Sequence, residues 1–224
     1  MPYSAEHTRR TRQRILRTAA HAFRKQGFDG VSIPAVMRQA GLTHGGFYAH
    51  FPSKDALIAS SFAEGFGESA ERLLVRRDDA SAAETLASVI RAYLSRAHRD
   101  TPDTGCVVPA LTAEVARASS AVRASFTAAL RDYARRLALL LPASESADAN
   151  RDVDQDAEAL ALLAGMAGAL QLARAVDDPA LSDAILRHAR HLYGTAYGVA
   201  YASATPTAEP SAADQSRADD HENH

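Results

Sequence analysis

The stretch that decides the fold reads SIPAVMRQAGLTHGGFYAHFPSKDAL, residues 32–57. Ser32 has the character of an N-cap, and Pro34 falls in the turn behind it, where a missing amide costs little. The short helix so opened must end before Gly41, where the chain turns sharply and a positive φ is cheap only for glycine. Thr43 reads as the cap of a third short helix carrying His44, Gly45, Gly46, Phe47, Tyr48, Ala49 and His50, which Pro52 breaks. Val36, Ala40, Leu42 and Phe47 are spaced to lock the two helices at a fixed angle. This spacing describes a helix-turn-helix. The third helix is too short and too polar to be stable alone, and His44, Gly45 and Gly46 suit a surface that approaches something closely.

Working outward, helical periodicity holds almost throughout and no stretch alternates with period two. A first helix is expected over residues 8–26, with Ile15, Ala19, Ala22 and Phe23 on one face and Gly27 ending it. Arg9, Arg10, Arg12, Arg14 and Arg17 crowd its entrance. Ser53 opens a fourth, longer helix through Ile58, Phe62, Phe66, Ala70 and Leu73. Further helices are expected over 82–99, 109–116, 119–141, 152–176 and 179–201. In the 119–141 helix, Val122, Phe126, Leu130, Tyr133, Leu137 and Leu140 make a continuous apolar stripe, read as core. Residues 143–151 form a polar loop. From Ala202 onward there is no Leu, Ile, Val or Phe, so burial cannot offset ordering entropy and residues 202–224 are expected to be disordered. The fold class is all-α, with a helix-turn-helix domain at 1–52 and a larger helical domain at 53–201.

Charge sharpens this division. Residues 1–60 hold nine Lys or Arg and three Asp or Glu, a balance of +6, while the remainder carries −8. A basic end on an acidic chain points to a polyanionic partner there, although a solvated face reads the same way. The single cysteine, Cys106, excludes an intrachain disulfide and fits a reducing compartment. The opening Met1, Pro2, Tyr3 and Ser4 lack the apolar core of a secretory signal. The most apolar run, residues 159–170, is too short to span a bilayer. The expected location is cytoplasmic, with no membrane partner.

Residues 32–57 closely resemble the DNA-binding signature of the TetR/AcrR family of repressors, and the likeness extends over about residues 8–60. Met37 departs from it, standing where the family usually has a small residue, and Pro34 is less common there. The resemblance implies a homodimer that binds double-stranded operator DNA and releases it when a small-molecule effector binds the larger domain. It implies DNA contacts from Ser32, Thr43, His44, Gly45, Gly46, Tyr48, His50 and Lys54. Chemistry supports these roles. Helix N-termini such as that at Thr43 favour anions, Tyr48 and His50 offer donors to phosphate, and Lys54 adds a point charge. His44 is the candidate for reading a base edge, and the glycines let the helix sink into the major groove. So few reading side chains leave part of the specificity to DNA shape. Tyr48 as core and His50 as a structural histidine are the plain alternatives. The last two helices are implied to form the dimer's four-helix bundle, with Ala164, Gly165, Ala167, Gly168 and Ala169 permitting close approach.

Cys106 is the effector or redox candidate. It sits at a helix start, which favours the thiolate, with His98 and Arg99 one loop away. The Gly105-Cys106 pair also resembles the NemR-like, electrophile- and oxidant-responsive branch of the family. A small buried hydrophobe is the plain reading of the same residue. No base stands at readable spacing from Cys106, so no catalytic residue, enzyme activity, metal or cofactor is expected. His188 and His191 lie three apart but lack a third ligand. The rival reading is a small-molecule-binding or cysteine-reactive protein with a degenerate head.

Overall fold

The computed structural model describes residues 5–75, 79–142 and 151–198. The loop expected over 143–151, all but its last residue, and the tail at 202–224 lie outside them. Among the described residues the chain is helical with no strand, in the order α1 (Ala5–Gln26), α2 (Ile33–Gln39), a 3-10 segment (His44–Ala49) and α3 (Lys54–Leu73). There follow α4 (Ala82–Tyr93), α5 (Arg96–Asp100), a 3-10 turn (Pro102–Thr104), α6 (Val107–Val115), α7 (Ser120–Ala138), α8 (Arg151–Ala175) and α9 (Pro179–Ala196). Helices α1 and α2 with the first 3-10 segment form the head. The helices after α3 form the body, and α3 belongs to both.

Helix α3 earns that position through its aromatic residues. Phe62 meets Phe28 of the head at 6.3 Å between centroids and Phe126 of α7 at 5.3 Å, and Phe66 meets Phe126 at 5.6 Å and Tyr133 at 5.5 Å. Phe28 in turn packs edge-on against Phe23 of α1. A chain of edge-to-face and tilted rings, each edge-to-face pair contributing about 1 kcal/mol beyond its area, makes the two cores one.

Several boundaries differ from the sequence reading for identifiable reasons. The helix expected across 82–99 breaks after Tyr93. Ser95 caps α5 by accepting from the His98 amide at 3.1 Å, and the break leaves the Tyr93 carbonyl free to accept from His98 Nδ1 at 2.7 Å. Helix α6 starts at Val107, ahead of Pro109, because first-turn amides have no partner for proline to remove. Helix α7 ends at Ala138, and Leu140 and Leu141 close a tighter turn onto the carbonyls of Leu137 and Ala138. Arg151, expected in the loop, already begins α8.

In α8 the apolar segment is longer than the sequence reading set it. Residues Gln155–Ala175 reach 21 with mean hydropathy 1.2, enough by length and composition for a spanning helix. Its Ala159, Leu162, Leu163, Met166 and Leu170 are buried in the core that α8 shares with its neighbours, the packing of a core helix.

Candidate nucleic-acid interface

The head presents its short segment from an apolar floor. Ser32 caps α2 by accepting from the Ala35 amide at 3.3 Å. The chain leaves α2 through Gly41 at φ +68°, the left-handed region, and returns by a Leu42 N–H to Met37 carbonyl bond of 2.9 Å. Residues His44–Ala49 then wind as a 3-10 helix, three residues per turn. Two consecutive glycines weaken α-helical preference here. The side chains of Phe47 and Phe51 stack at 5.8 Å and pull the segment onto the core. Phe47 is 0% exposed, whereas its neighbour Tyr48 is 64% exposed and stands edge-on to both Phe47 and His44. Tyr48 is therefore a surface residue. Met37, bulky where small was usual, is buried, and its Cε would lie 3.8 Å from a Cβ at Gly46, so it fills space beneath the glycines.

Thr43, His44, Gly45 and Tyr48 come together as one exposed surface, with Gly46 partly covered at its edge. Thr43 occupies the cap position, but its side chain makes no capping bond, contrary to the expectation. Lys54 opens α3 behind Ser53, which accepts from the Ala56 amide at 3.1 Å. A cation at the positive end of a helix is opposed by the macrodipole, so helix stability does not explain it. Lys54 lines an open cleft of about 240 Å³ between head and body, together with Phe28, Asp55 and Glu114. His50 is set back, half-buried. Burial first, then the Arg12 charge, lowers its pKa, so it is neutral at pH 7. Its Nδ1 is buried without a hydrogen-bond partner among the described residues.

The positive charge is smaller than the sequence count. Arg10 pairs with Glu6, and Arg17 pairs with Glu64 at 3.1 Å. Arg12 lies over the Phe51 ring at 4.7 Å to the centroid and donates to Ser60 Oγ. Arg24 is inside the protein. Its Nη2 meets Glu68 at 2.7 Å, while Nη1 donates to the carbonyls of Gly65 at 3.0 Å and Gly105 at 3.3 Å. Sequence reading counted Arg24 among the basic residues and missed this role. The available signal was its phase: it lies one turn from Ala20 on the inner side of α1.

Cys106 occupies the N-cap of α6, as its helix-start position suggested, but the expected activation does not follow. The thiol is 0% exposed, and burial pushes its pKa up, only partly offset by a hydrogen bond with Tyr93. The hydroxyls of Tyr93 and Tyr133 are buried and face the thiol, a weak soft partner, with no other among the described residues. His98 adds no charge. Its Nε2 accepts from the Cys106 amide at 2.9 Å, so Nδ1 carries the proton and the ring is neutral. Burial holds its pKa down to about 4. Arg99 turns instead to Asp100, Ser182 and Asp183.

The small residues of α8 divide between two tasks. A Cβ at Gly165 would fall 2.0 Å from Tyr193 Oη, so this glycine receives α9 of its own chain. A Cβ at Gly168 meets nothing within 4 Å. Ala161, Ala164 and Leu172 are exposed on α8, as are Leu181 and Leu192 on α9. His188 and His191 are both exposed, and among the described residues no group of three or more His, Cys, Asp and Glu is placed to hold a metal ion.

Known proteins carry the same architecture. Residues 15–60 match the bacterial regulatory proteins of the TetR family, and residues 82–189 match a tetracyclin repressor-like C-terminal domain. The chain belongs to the TetR family. Two uncharacterized HTH-type transcriptional regulators of Bacillus subtilis (strain 168) share the head. YerO is 38% identical over 50 residues, which is 22% of this chain and 17% of that protein. YdgC is 37% identical over 49 residues, 22% of this chain and 25% of that one. The matched stretch thus spans a quarter or less of either curated relative. Among solved structures, the reduced form of Escherichia coli NemR superposes with a TM-score of 0.66 at 20% identity, covering 88% of this chain and all of that one. A TetR transcriptional regulator from Chloroflexus aurantiacus gives 0.63 at 23% identity, covering 85% and 96%. At such identities the likeness is one of fold.

Proposed function

We propose that this protein is a cytoplasmic, homodimeric transcriptional repressor that holds operator DNA through its head and releases it when the body binds an effector. The observation that carries this reading is the exposed surface of Thr43, His44, Gly45 and Tyr48, with Gly46 partly covered at its edge, held from beneath by Phe47, Phe51 and Met37. Its exposure and polarity suit a major groove, with His44 at a base edge, Tyr48 and the non-capping Thr43 hydroxyl on phosphates, and Ser32 and Lys54 at two flanking helix starts. Neutral His50 contributes at most a donor. The outward face of α8 and α9, with Gly168, Leu172, Leu181 and Leu192, is the surface for the second copy.

A gel shift with the DNA upstream of the protein's own gene tests the reading. Lys54→Ala should weaken binding to every sequence alike and flatten the salt dependence by about one unit of slope per head. Unchanged affinity and slope would remove Lys54 from the interface, and a native chain that shifts no DNA at low salt would end the whole reading. Gly168→Leu should yield folded monomers in sedimentation that bind DNA far more weakly. A variant that stays dimeric would move the interface elsewhere.

The buried, protonated Cys106 favours a noncovalent effector over an electrophile. A maleimide that released DNA from the native chain but not from Cys106→Ser would restore the thiol as trigger.

A further inference from the structure

One peptide group, between Gly105 and Cys106, is gripped from both sides. Its carbonyl accepts from Arg24 of the head at 3.3 Å and, at 3.0 Å, shares the single proton of the Ser69 hydroxyl on α3 with the Gly65 carbonyl at 2.7 Å. The amide on its other side donates to His98 Nε2 at 2.9 Å. His98 is itself fixed, giving Nδ1–H to the Tyr93 carbonyl and packing edge-on against that ring at 4.8 Å. Arg174 of α8 completes the line. Its Nη2 donates to the His98 carbonyl at 2.7 Å and its Nε to the Arg99 carbonyl at 3.0 Å. An unbroken sequence of hydrogen bonds therefore runs from α8 through α5 and the 105–106 peptide into α1 and α3.

Two close approaches hold the peptide in place. A Cβ at Gly105 would lie 2.6 Å from the His98 ring, so only glycine lets the imidazole reach the following amide. A Cβ at Gly65 would lie 3.0 Å from Val107 and 3.4 Å from Arg24 Nη1, so that glycine admits the guanidinium between α3 and the loop. Arg24 spans α1, α3 and the loop with one planar fork, and its Nε is left buried and unpartnered. A buried guanidinium with one unmet donor is costly unless its geometry serves more than packing.

We infer that the Gly105–Cys106 peptide is the joint through which the body and the DNA-binding head read each other, with Arg24 as the positioning residue on the head side. The inference rests on the DNA-binding reading and adds the residues that carry its regulation. When the body rearranges around Tyr93, His98 and Cys106, this peptide tilts. Arg24 then loses one of its carbonyls, and the α1–α3 pairing that sets the angle of the recognition segment shifts. Coupling is reciprocal, so DNA on the head must also steady the peptide.

The single cysteine supplies the reporter. Alkylation of Cys106 by N-ethylmaleimide, which requires local opening, should slow by roughly tenfold when the native full-length chain is saturated with operator DNA. In Arg24→Met, the free chain should be alkylated about tenfold faster than native, and the rate should no longer depend on DNA although DNA still binds. Ser69→Ala, which keeps Arg24, should fall between the two. Arg24→Lys should restore thermal stability without restoring the DNA dependence, a split that a merely structural role would not produce. DNA-dependent labelling that survives in folded Arg24→Met would overturn the joint, and so would a DNA-bound native chain whose labelling ignores DNA. If the native chain binds no DNA, the functional reading falls by gel shift, and the joint is judged in the free chain, where a native labelling rate in Arg24→Met overturns it.

Discussion

The head and the body treat their polar groups in opposite ways. In the head, the polar groups of the recognition segment face outward and the apolar side chains beneath hold its shape: Phe47, Phe51 and Met37 are buried, while Thr43, His44 and Tyr48 are exposed. In the body, polar groups are taken inside and mostly tied to one another, as with His98, Ser69 and the 105–106 peptide, and Arg24 is drawn into that set from the head's far side, away from the recognition segment. An exposed group can be removed at the expense of binding alone, because water replaces it in the free chain. A buried and bonded group cannot, because its partner is left unsatisfied. The contrast therefore separates residues that set affinity from residues that set stability.

The largest effect should come from taking the floor out of the head. Phe47→Ala removes a fully buried ring from beneath the recognition segment. It should cost about 3–5 kcal/mol in urea unfolding and abolish DNA binding although no outward side chain has changed. A variant that still bound DNA with native affinity would show that the segment holds its shape without the floor.

A somewhat smaller effect should appear as a pH dependence of the body. Burial, then the Arg174 and Arg72 charges, hold His98 at a pKa of about 4, against 6.5 in an unfolded chain. Between these values the unfolded chain binds a proton that the folded chain refuses. The His98 contribution is thus intact above pH 6.5 and is lost as pH falls toward 4, by roughly 3 kcal/mol in all. His98→Gln, which keeps an acceptor for the Cys106 amide, should flatten the native stability curve in that window. Parallel curves for the two proteins would show that the histidine titrates as it does in water.

The smallest structural effect, with a clear functional one, belongs to the exposed face. His44→Ala should leave stability within about 0.5 kcal/mol and reduce discrimination at one operator base pair by roughly 1–3 kcal/mol. Equal weakening on all DNA sequences would turn His44 into a phosphate contact and blur the comparison at this residue.

The same contrast explains what could be read in advance. The head was legible because its determinants are local: Ser32, Gly41 and Pro52 fix ends and turns within a few residues of themselves, and α2 starts and stops where they place it. The surface character of His44 and Gly45 followed from the same spacing, but Gly46, expected beside them, is partly covered, and neither the exposure of Tyr48 nor the 3-10 winding was fixed by it, since both depend on how Phe47 and Phe51 share the core. In the body, periodicity gave the number of long helices but passed over the break at Leu94, although Ser95, which accepts from the His98 amide, is a cap signal as local as Ser32. The environment of Cys106 was out of reach. Tyr93, Tyr133, His98 and Arg174 converge around it from four helices, and the burial this brings reverses the activation that a helix start alone would give, although Tyr93 and Arg174 themselves pull the thiol the other way. Arg24 was hidden for the same reason, its partners lying 41 and 81 residues away.

The 3-10 winding of His44–Ala49 has an evolutionary consequence. With three residues per turn, the segment is a triangular prism. One edge carries His44 and Phe47, of which Phe47 is committed to the core while His44 is exposed, a second carries Gly45 and Tyr48, and a third carries Gly46 and Ala49. A lineage descended from this sequence can rewrite the other positions letter by letter while Phe47 keeps the head folded. Two of the outward positions are glycines, the residue with the most side chains still to acquire. New binding preferences are thus a few substitutions away and need no compensating change in the core, so this short segment is a place where regulatory circuits can diverge faster than the proteins that run them.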